Sequence, residues 1–339
     1  MFESVPPTGY GGTERVVSYL TETLVELGHD VTLYASGDSR TAARLVSVIE
    51  RSLRLDERRP DPLVWHTMLM DRLWEEASQF DVIHFHTDVI HLPMARRCPG
   101  ACITTLHGRM DLPDLGALYR HFASVPLVSV SMSQRAPISW ANWFATVHHG
   151  LPDSLYSLHA QPGEYFAFLG RIAPEKRLDR AIEIAKACDT PLLIAAKVDP
   201  VDEHYFKTSI APLLDHPLIK FIGEIDDAAK NEFLGRARAL LMPIDWPEPF
   251  GLVMIEAFAC GTPVLAYGHG SVPEIVEHGV NGFVVHDQHQ AIAAAREIPR
   301  LGRQNCRKSF ERCFTARTMA EAYLSVYRQL LDRHPVRPQ

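Results

Sequence analysis

The residues best suited to chemistry lie in one stretch of the chain, PIDWPEPFGLVMIEAFACGTPVLAYGHGSVPEIVEHGVNGFVV, residues 243–285. A strand pattern leads into a loop that carries Glu248, and a helix pattern follows from about Phe250 to Cys260, ended by Gly261. A helix in this place begins at the carboxyl end of a strand, where α/β sheets bind ligands. The sequence therefore predicts a ligand site at the beginning of this helix.

The beginning of the predicted helix suits a diphosphate. The backbone N–H groups of Phe250, Gly251 and Leu252 have no helical partner, the helix dipole favours negative charge there, and Gly251 allows close approach. Glu256 is a carboxylate in an apolar run, where it needs hydroxyl or amide donors such as a ribose diol. Glu248 is placed to accept hydrogen bonds from sugar hydroxyls. Taken alone, this pair of glutamates has an alternative: Glu256 pairs with a structural arginine and Glu248 only borders the helix.

A pair of cations occurs in FLGRIAPEKRLDRAIEIAK, residues 168–186. Arg171 and Lys176 follow a predicted strand and flank the start of the next helix, where they can neutralise a diphosphate whose charge grows as a bond to it breaks. Surface salt bridges are the alternative for such a pair.

The first half of the chain offers weaker signals. Gly11 and Gly12, in GYGGTERVV, precede a helix pattern and can present amides to a phosphate, although simple helix entry is the alternative. The pattern does not match G-x-G-x-x-G, which argues against a dehydrogenase. His107 ends an apolar strand in TTLHGRMD, where a structural role is the alternative. Further candidates lie on the same loop or at the end of another strand. They are Arg109, Asp111 and Asp88 for an acceptor, with His84, His86 and Asp88 as part of a ligand cleft.

The elements that must position these residues are short apolar runs between amphipathic stretches, typical of parallel strands with helical crossovers. The predicted strands are 31–36, 81–86, 101–107, 127–131, 165–170, 191–196, 218–223, 239–244, 262–267 and 282–286. The predicted helices include 14–28, 177–188, 230–239 and a last one over 315–331, followed by a frayed tail, PVRPQ. The turn-rich segment 148–165 is the predicted linker between two α/β domains.

Composition excludes several classes of protein. The 339 residues are 46% hydrophobic and carry a net charge of −7 with no block of like charge, so nothing indicates a nucleic-acid stripe or a polybasic membrane anchor. No apolar run is long enough for a membrane span, and a signal-peptide pattern is absent, so we expect a cytoplasmic protein. The spacing of the six cysteines matches neither a zinc site nor a redox pair, and we expect free thiols. No spacing or Asp-x-Asp motif supports a metal site.

The motifs together closely resemble the signature of retaining glycosyltransferases of family 4, which adopt the GT-B fold. PEPFGLVMIEAFACGTPVLA and GSVPEIVEHGVNGF carry most of the resemblance, which extends from GYGGTER to MAEAYLSVYRQLL. It implies two Rossmann-like domains facing across a cleft, with the last helix crossing back to the first: domain 1–150, domain 160–312 and helix 313–335. An α/β domain of this sort normally has a buried strand before the Gly-rich turn, so either the first domain lacks its opening strand or the chain starts too far downstream.

The resemblance also implies roles for individual residues. Glu248 contacts the donor sugar, Glu256 the ribose, and Arg171 and Lys176 the phosphates. Gly11 and Gly12 match the family's GG-x-E element, and His107 matches a histidine beside the reacting sugar, acting by hydrogen bonding. Arg177 departs from the pattern, because the family usually has glycine there. The base is expected near residues 195–200 and 222–227, with Lys197 and Glu224 as candidate contacts.

The implied activity is retaining transfer of a hexose from a UDP-, GDP- or ADP-linked sugar to an acceptor hydroxyl, without a metal or other cofactor. The expected partners are a nucleotide sugar and an acceptor, not a nucleic acid or an integral membrane component. Two alternatives stay open: a sugar-nucleotide epimerase or hydrolase on the same fold, and a non-catalytic protein that binds sugar nucleotides.

Overall fold

A computed structural model of the chain describes residues 2–9, 11–98, 100–161 and 163–333. The chain divides into two compact units, one made of residues 1–152 with 316–339 and the other of residues 153–315. Both units contain parallel β-sheet and helices. The predicted α/β class with two Rossmann-like domains is therefore confirmed.

The first unit alternates helices and strands. In chain order they are α1 (Gly12–Glu26), β1 (Thr32–Tyr34), β2 (Arg44–Val46), α2 (Pro62–Glu76), β3 (Val82–Phe85), α3 (Leu92–Ala95), β4 (Ala101–Thr105), α4 (Leu115–His121), β5 (Leu127–Ser129) and β6 (Trp143–Thr146). Strands β3, β4, β5 and β6 pair in parallel in that order, and β1 and β2 form a separate parallel pair. Residues 2–9 and 11, which precede α1, form no strand.

The second unit contains a single six-stranded sheet, larger than either sheet of the first unit. Its elements are β7 (Tyr165–Arg171), α5 (Leu178–Ala187), β8 (Leu192–Lys197), α6 (Glu203–Tyr205), β9 (Ile219–Gly223), α7 (Asp227–Gly235), β10 (Ala237–Met242), α8 (Leu252–Ala259), β11 (Val264–Tyr267), α9 (Val272–Ile275), β12 (Gly282–Val285), α10 (Gln288–Glu297) and α11 (Arg303–Cys313). The six strands are parallel in the order β12-β11-β10-β7-β8-β9. The direction of winding reverses between β7 and β10, which makes their carboxyl ends the switch point at which such sheets bind ligands.

The last helix, α12 (Ala316–Arg333), belongs to the first unit. Met319, Tyr323, Val326 and Leu330 recur at helical spacing and are buried. The helix packs against α1, which confirms the predicted crossing of the last helix back to the first domain. The predicted tail PVRPQ lies outside the described residues.

The ten predicted strands are all present, and each contains at least one buried apolar residue, although in β9 only Ile219 is buried. Two further strands, β2 and β6, were not predicted. Neither has a buried residue: β2 is three residues long and begins with an arginine, and β6, although it contains apolar residues, is an edge strand of its sheet. None of the described helices is long and apolar enough to cross a membrane.

The prediction of six free thiols is wrong for two cysteines. Cys98 and Cys102 form a disulfide, with their Cα atoms 6.5 Å apart. Helix α3 and the turn after it return the chain to the start of β4, which brings the two side chains together although their spacing is that of no common redox motif. Cys188, Cys260, Cys306 and Cys313 are free.

Candidate active site

The loop before α8 is held in an unusual backbone conformation at Gly251. This residue has φ 80° and ψ 70°, in the left-handed region that favours glycine. A Cβ atom here would lie 2.9 Å from the methyl carbons of Met242 and Met254. Gly251 is thus required by the local backbone and its packing, a reason that differs from the predicted close approach of an anion.

Glu248 is the centre of a polar cluster at the beginning of α8. Its carboxylate forms an ion pair with Lys176 and accepts a hydrogen bond from Trp246 Nε1 at 3.0 Å. Lys176 Nζ also lies 4.8 Å from the centroid of the Trp246 ring, at cation–π distance. The structure therefore brings together the predicted pair Lys176 and Glu248, 72 residues apart in sequence. Trp246 was missed, although its position two residues before Glu248 was a usable signal.

A second segment holds the backbone of this loop. The Ser271 N–H donates to the Glu248 carbonyl at 2.9 Å, and Ser271 Oγ donates to the Phe250 carbonyl at 2.7 Å. Gly270 has φ 59°, and a Cβ there would lie 2.3 Å from the backbone nitrogen of Glu248. The glycine and serine of the GHGSVPE segment thus fix the position of Glu248 through its main chain.

Arg171 lies at the end of β7 among carboxylates. Its guanidinium is 2.8 Å from Glu175 Oε1, 3.6 Å from Asp199 Oδ2 and 3.9 Å from Asp202 Oδ2. Lys197 pairs with Asp199 at 2.8 Å. Arg171 and Lys176, the two cations of the predicted phosphate site, are therefore each paired with a protein carboxylate, Glu175 and Glu248 respectively.

The loop after β9, predicted to lie near the nucleotide base, carries the other candidate contact, Glu224. Glu224 is exposed there. The role proposed for Glu224 therefore has no support from a contact among the described residues.

Glu256 is buried on α8 and neutralised within the second unit. Lys230 Nζ lies 3.1 Å from Glu256 Oε1, and Tyr156 donates a hydrogen bond to the same oxygen at 3.3 Å. The counter-ion is thus a lysine from α7 rather than an arginine. Sequence reasoning missed Lys230, because a lysine on an amphipathic helix usually faces solvent.

Arg177 keeps the backbone conformation that a glycine would adopt. It has φ 52° and ψ 49°, and its side chain reaches Asp179 at 2.7 Å and Asp245 at 2.9 Å. For a residue with a Cβ, the left-handed conformation costs about 1–2 kcal/mol. The departure from the family pattern changes the side chain and leaves the geometry of a glycine in place.

Replacing Arg177 with glycine and with alanine separates these effects. Both variants lose the ion pairs, but only alanine keeps the strain, so we expect the glycine variant to have the larger free energy of unfolding, by about 1 kcal/mol. Urea unfolding measures the difference. The same pair of substitutions at Arg180, inside α5, is the control, and there we expect alanine to be favoured by about 1 kcal/mol. Equal stabilities at position 177 would contradict a strained backbone.

In the first unit, His107 lies just after β4 within a group of histidines. Its Nε2 is 2.9 Å from His86 Nδ1, and its ring stacks on that of His149 with centroids 5.2 Å apart. His84, on β3, contacts the hydroxyl groups of Tyr327 and Thr105, both at 2.7 Å. His86 thus contacts His107 directly, whereas His84 bonds Tyr327 and Thr105. The prediction had placed both histidines only in the lining of a cleft.

Burial keeps these imidazoles neutral. It lowers the pKa of His107 to about 4 and, with repulsion from His107 and His91, the pKa of His84 to about 3. Burial likewise holds the pKa values of His86 and His149 well below the usual value. At neutral pH His107 is therefore an uncharged hydrogen-bonding group.

The buried histidines predict a pH-dependent stability. His91 is fully buried between Thr87 and Thr104, and burial lowers its pKa to about 4, against about 6.5 in an unfolded chain. Between these pH values the unfolded state binds more protons than the folded state. The contribution of neutral His91 to the free energy of unfolding is therefore complete above pH 6.5 and is lost as the pH falls to 4. We expect His91→Gln to reduce the slope of unfolding free energy against pH by about 1.4 kcal/mol per pH unit in this window. Urea titrations from pH 4 to pH 7 test this, and an unchanged slope would contradict it.

The other predicted residues of the first unit lie outside this group of histidines. Gly11 caps α1, and a Cβ there would meet Pro7 Cγ at 2.9 Å, while Gly12 is the first residue of the helix. Arg109 and Asp111 form an ion pair with each other, at 2.5 Å, on the loop after His107. Asp88 is exposed in the turn after β3.

Comparison with known proteins places the chain in a family. The model described as "Glycosyl transferases group 1" matches residues 157–313, and "Glycosyltransferase Family 4" matches residues 10–149. A phosphatidyl-myo-inositol mannosyltransferase of Propionibacterium freudenreichii is 25% identical over 296 residues, 76% of this chain and 73% of the relative. The crystal structure of AviGT4, a glycosyltransferase involved in avilamycin A biosynthesis, covers 97% of this chain and 93% of its own, with 25% identity and a TM-score of 0.70. Anabaena HepE, in complex with UDP and glucose, covers 94% of this chain and 96% of its own, with 17% identity and a TM-score of 0.71.

The two Rossmann-like units, together with the matches to these families and structures, identify a glycosyltransferase of the GT-B fold. The chain belongs to glycosyltransferase family 4. The resemblance seen in its motifs is thereby confirmed, and so is the enzyme class.

Proposed function

We propose that this protein is a retaining, metal-independent hexosyltransferase that takes its sugar from a nucleoside-diphosphate donor. The donor diphosphate binds in the second unit, at the start of α8, with Lys176 and Arg171 as its cations. Glu248 contacts the sugar and Glu256 the ribose. The observation that carries the proposal is the cluster of Lys176, Glu248 and Trp246 at the switch point of the parallel sheet.

The chemistry follows from where charge develops. As the bond between the sugar and the diphosphate breaks, negative charge grows on the departing phosphate. Lys176, Arg171 and the amides at the helix start stabilise that charge. The acceptor hydroxyl attacks on the same face, and the departing phosphate takes its proton, so no separate base is needed. His107 donates a hydrogen bond to the substrate or accepts one from it, and its imidazole stays uncharged.

Glu256 and Lys230 are suited to bind a ribose. The carboxylate is buried at 6% exposure, and its charge is balanced by Lys230. A ribose diol donating to this carboxylate keeps the balance, whereas a second anion would upset it. Lys230, with its Nζ 3.1 Å from Oε1, thus orients the Glu256 carboxylate as a hydrogen-bond acceptor.

A panel of donors tests the proposal. UDP-glucose, GDP-mannose, ADP-glucose and dTDP-glucose are each added to the purified protein, and the melting temperature is measured. We expect one donor to raise it, because a ligand at 100 times its dissociation constant stabilises the folded state by about 2.7 kcal/mol. HepE was crystallised with UDP and glucose, which makes UDP-glucose a natural first member. If none of the four raises the melting temperature, the proposed donor site is wrong.

Turnover of the selected donor separates the two alternatives. Rapid and complete loss of donor without an acceptor, with release of an altered sugar, would favour an epimerase or hydrolase. Binding without turnover in the presence of any acceptor would favour a non-catalytic binding protein. Retention itself is read from the anomer first released during slow donor hydrolysis, followed by proton NMR.

A further inference from the structure

The contact between His86 and His107 joins two neighbouring strands of the first unit. His86 follows β3 and His107 follows β4, and these strands pair in parallel. Their ring nitrogens, His86 Nδ1 and His107 Nε2, lie 2.9 Å apart. Because neither ring is protonated at neutral pH, one nitrogen of this pair carries the hydrogen and the other accepts it. The tautomer of one histidine therefore sets the tautomer of the other.

The second nitrogen of His107 makes this coupling informative. His107 Nδ1 is buried and makes no hydrogen bond to any residue within the described ranges. A buried acceptor without a partner occurs in proteins more readily than a buried N–H without one. The favoured arrangement therefore has the hydrogen on His107 Nε2, donated to His86 Nδ1, and leaves a lone pair on His107 Nδ1.

The ring of His86 is itself held in place. The His84 ring packs on it with centroids 4.0 Å apart. His84 is fixed at both nitrogens, by Tyr327 and by Thr105, and the Thr105 hydroxyl also lies 3.0 Å from that of Tyr323. Helix α12 thus supplies two hydroxyl groups to the network that supports His86.

We propose that His86 is a positioning residue: it accepts the Nε2 hydrogen of His107 and so holds the Nδ1 lone pair of His107 ready to accept a hydrogen bond from a substrate hydroxyl. This role rests on the proposed transferase function. It differs from catalysis by His86 itself, because His86 acts through His107.

The geometric part is tested on the unliganded protein with histidine labelled with ¹⁵N. We expect a scalar coupling between His86 Nδ1 and His107 Nε2 across the hydrogen bond, with the hydrogen attached to His107. The absence of this coupling, or a hydrogen on His107 Nδ1, would overturn the assignment. No activity is needed for this measurement, so it stands even if the wild-type protein turns over none of the four donors, a result that would end the proposed function instead.

The functional part compares two amide substitutions. In His86→Asn the amide occupies the place of Nδ1, whereas in His86→Gln it lies one methylene farther out. We expect the Gln variant to hydrolyse the selected donor at least tenfold more slowly at saturation, with KM changed less than threefold, and the Asn variant to stay within threefold of wild type. His91→Gln is the matched control, a buried histidine bonded to threonines, with unchanged turnover expected. Equal turnover by the Gln and Asn variants would overturn the positioning role.

Discussion

Replacing Lys176 with methionine should slow turnover of the sugar-nucleotide donor by about 10²–10³-fold. Methionine keeps most of the aliphatic length but removes the charge that faces Glu248 and the Trp246 ring. In the proposed reaction this charge is needed most when the diphosphate departs. The loss should therefore appear in kcat more than in the affinity for the donor.

The measurement is release of nucleoside diphosphate from the donor selected by the thermal-shift panel. Lys207→Met is the matched control, since Lys207 forms an exposed pair with Glu203, one helical turn away, and should lose no activity. A melting temperature close to that of wild type shows that the fold is intact. Turnover within threefold of wild type would remove Lys176 from the mechanism and, with it, the main support for the proposed donor site.

The largest effect on stability is expected at Arg303, the first residue of α11. Its buried guanidinium donates to the carbonyls of His159, Ala237 and Gly235 at 2.5, 2.8 and 2.6 Å, and to Thr262 Oγ1 at 2.7 Å. Burial lowers the pKa of this group. The group therefore ties the start of the second unit to β10 and to the turn after α8.

Arg303→Met should reduce the free energy of unfolding by about 3–5 kcal/mol, because the carbonyls lose their donor in a place that water reaches poorly. Urea unfolding measures the change. Arg236→Met is the control, with a guanidinium whose side chain is 72% exposed and pairs with Glu232, and we expect less than about 1 kcal/mol there. A comparable small loss at Arg303 would mean that the carbonyls find other partners.

Much of the fold could be predicted from the sequence, because strands of a parallel sheet are buried on both faces and read as apolar runs. Strand β4, with all five residues buried, is the clearest case. Strand β6, at the edge of its sheet, has no buried residue, and its short run WFAT was not identified as a strand.

The candidate site was predicted in its residue types but not in its pairings. Glu248 and Lys176 were identified from separate motifs, yet their ion pair depends on the approach of two loops 72 residues apart. Lys230 carried no pattern that distinguishes it from a surface residue, whereas the position of Trp246 two residues before Glu248 was a signal that went unused. The left-handed conformation at Arg177 could be anticipated only from the glycine that the family has there.

The return of α12 to the first unit has a consequence for how the protein is made. On the ribosome, residues 153–315 emerge as one continuous stretch that contains every strand of its own sheet. The hydroxyl groups of Tyr323 and Tyr327, which bond Thr105 and His84, emerge only afterwards. The unit that is synthesised first therefore completes its folding second, and its histidine network stays unfinished until translation has passed the whole of the other unit.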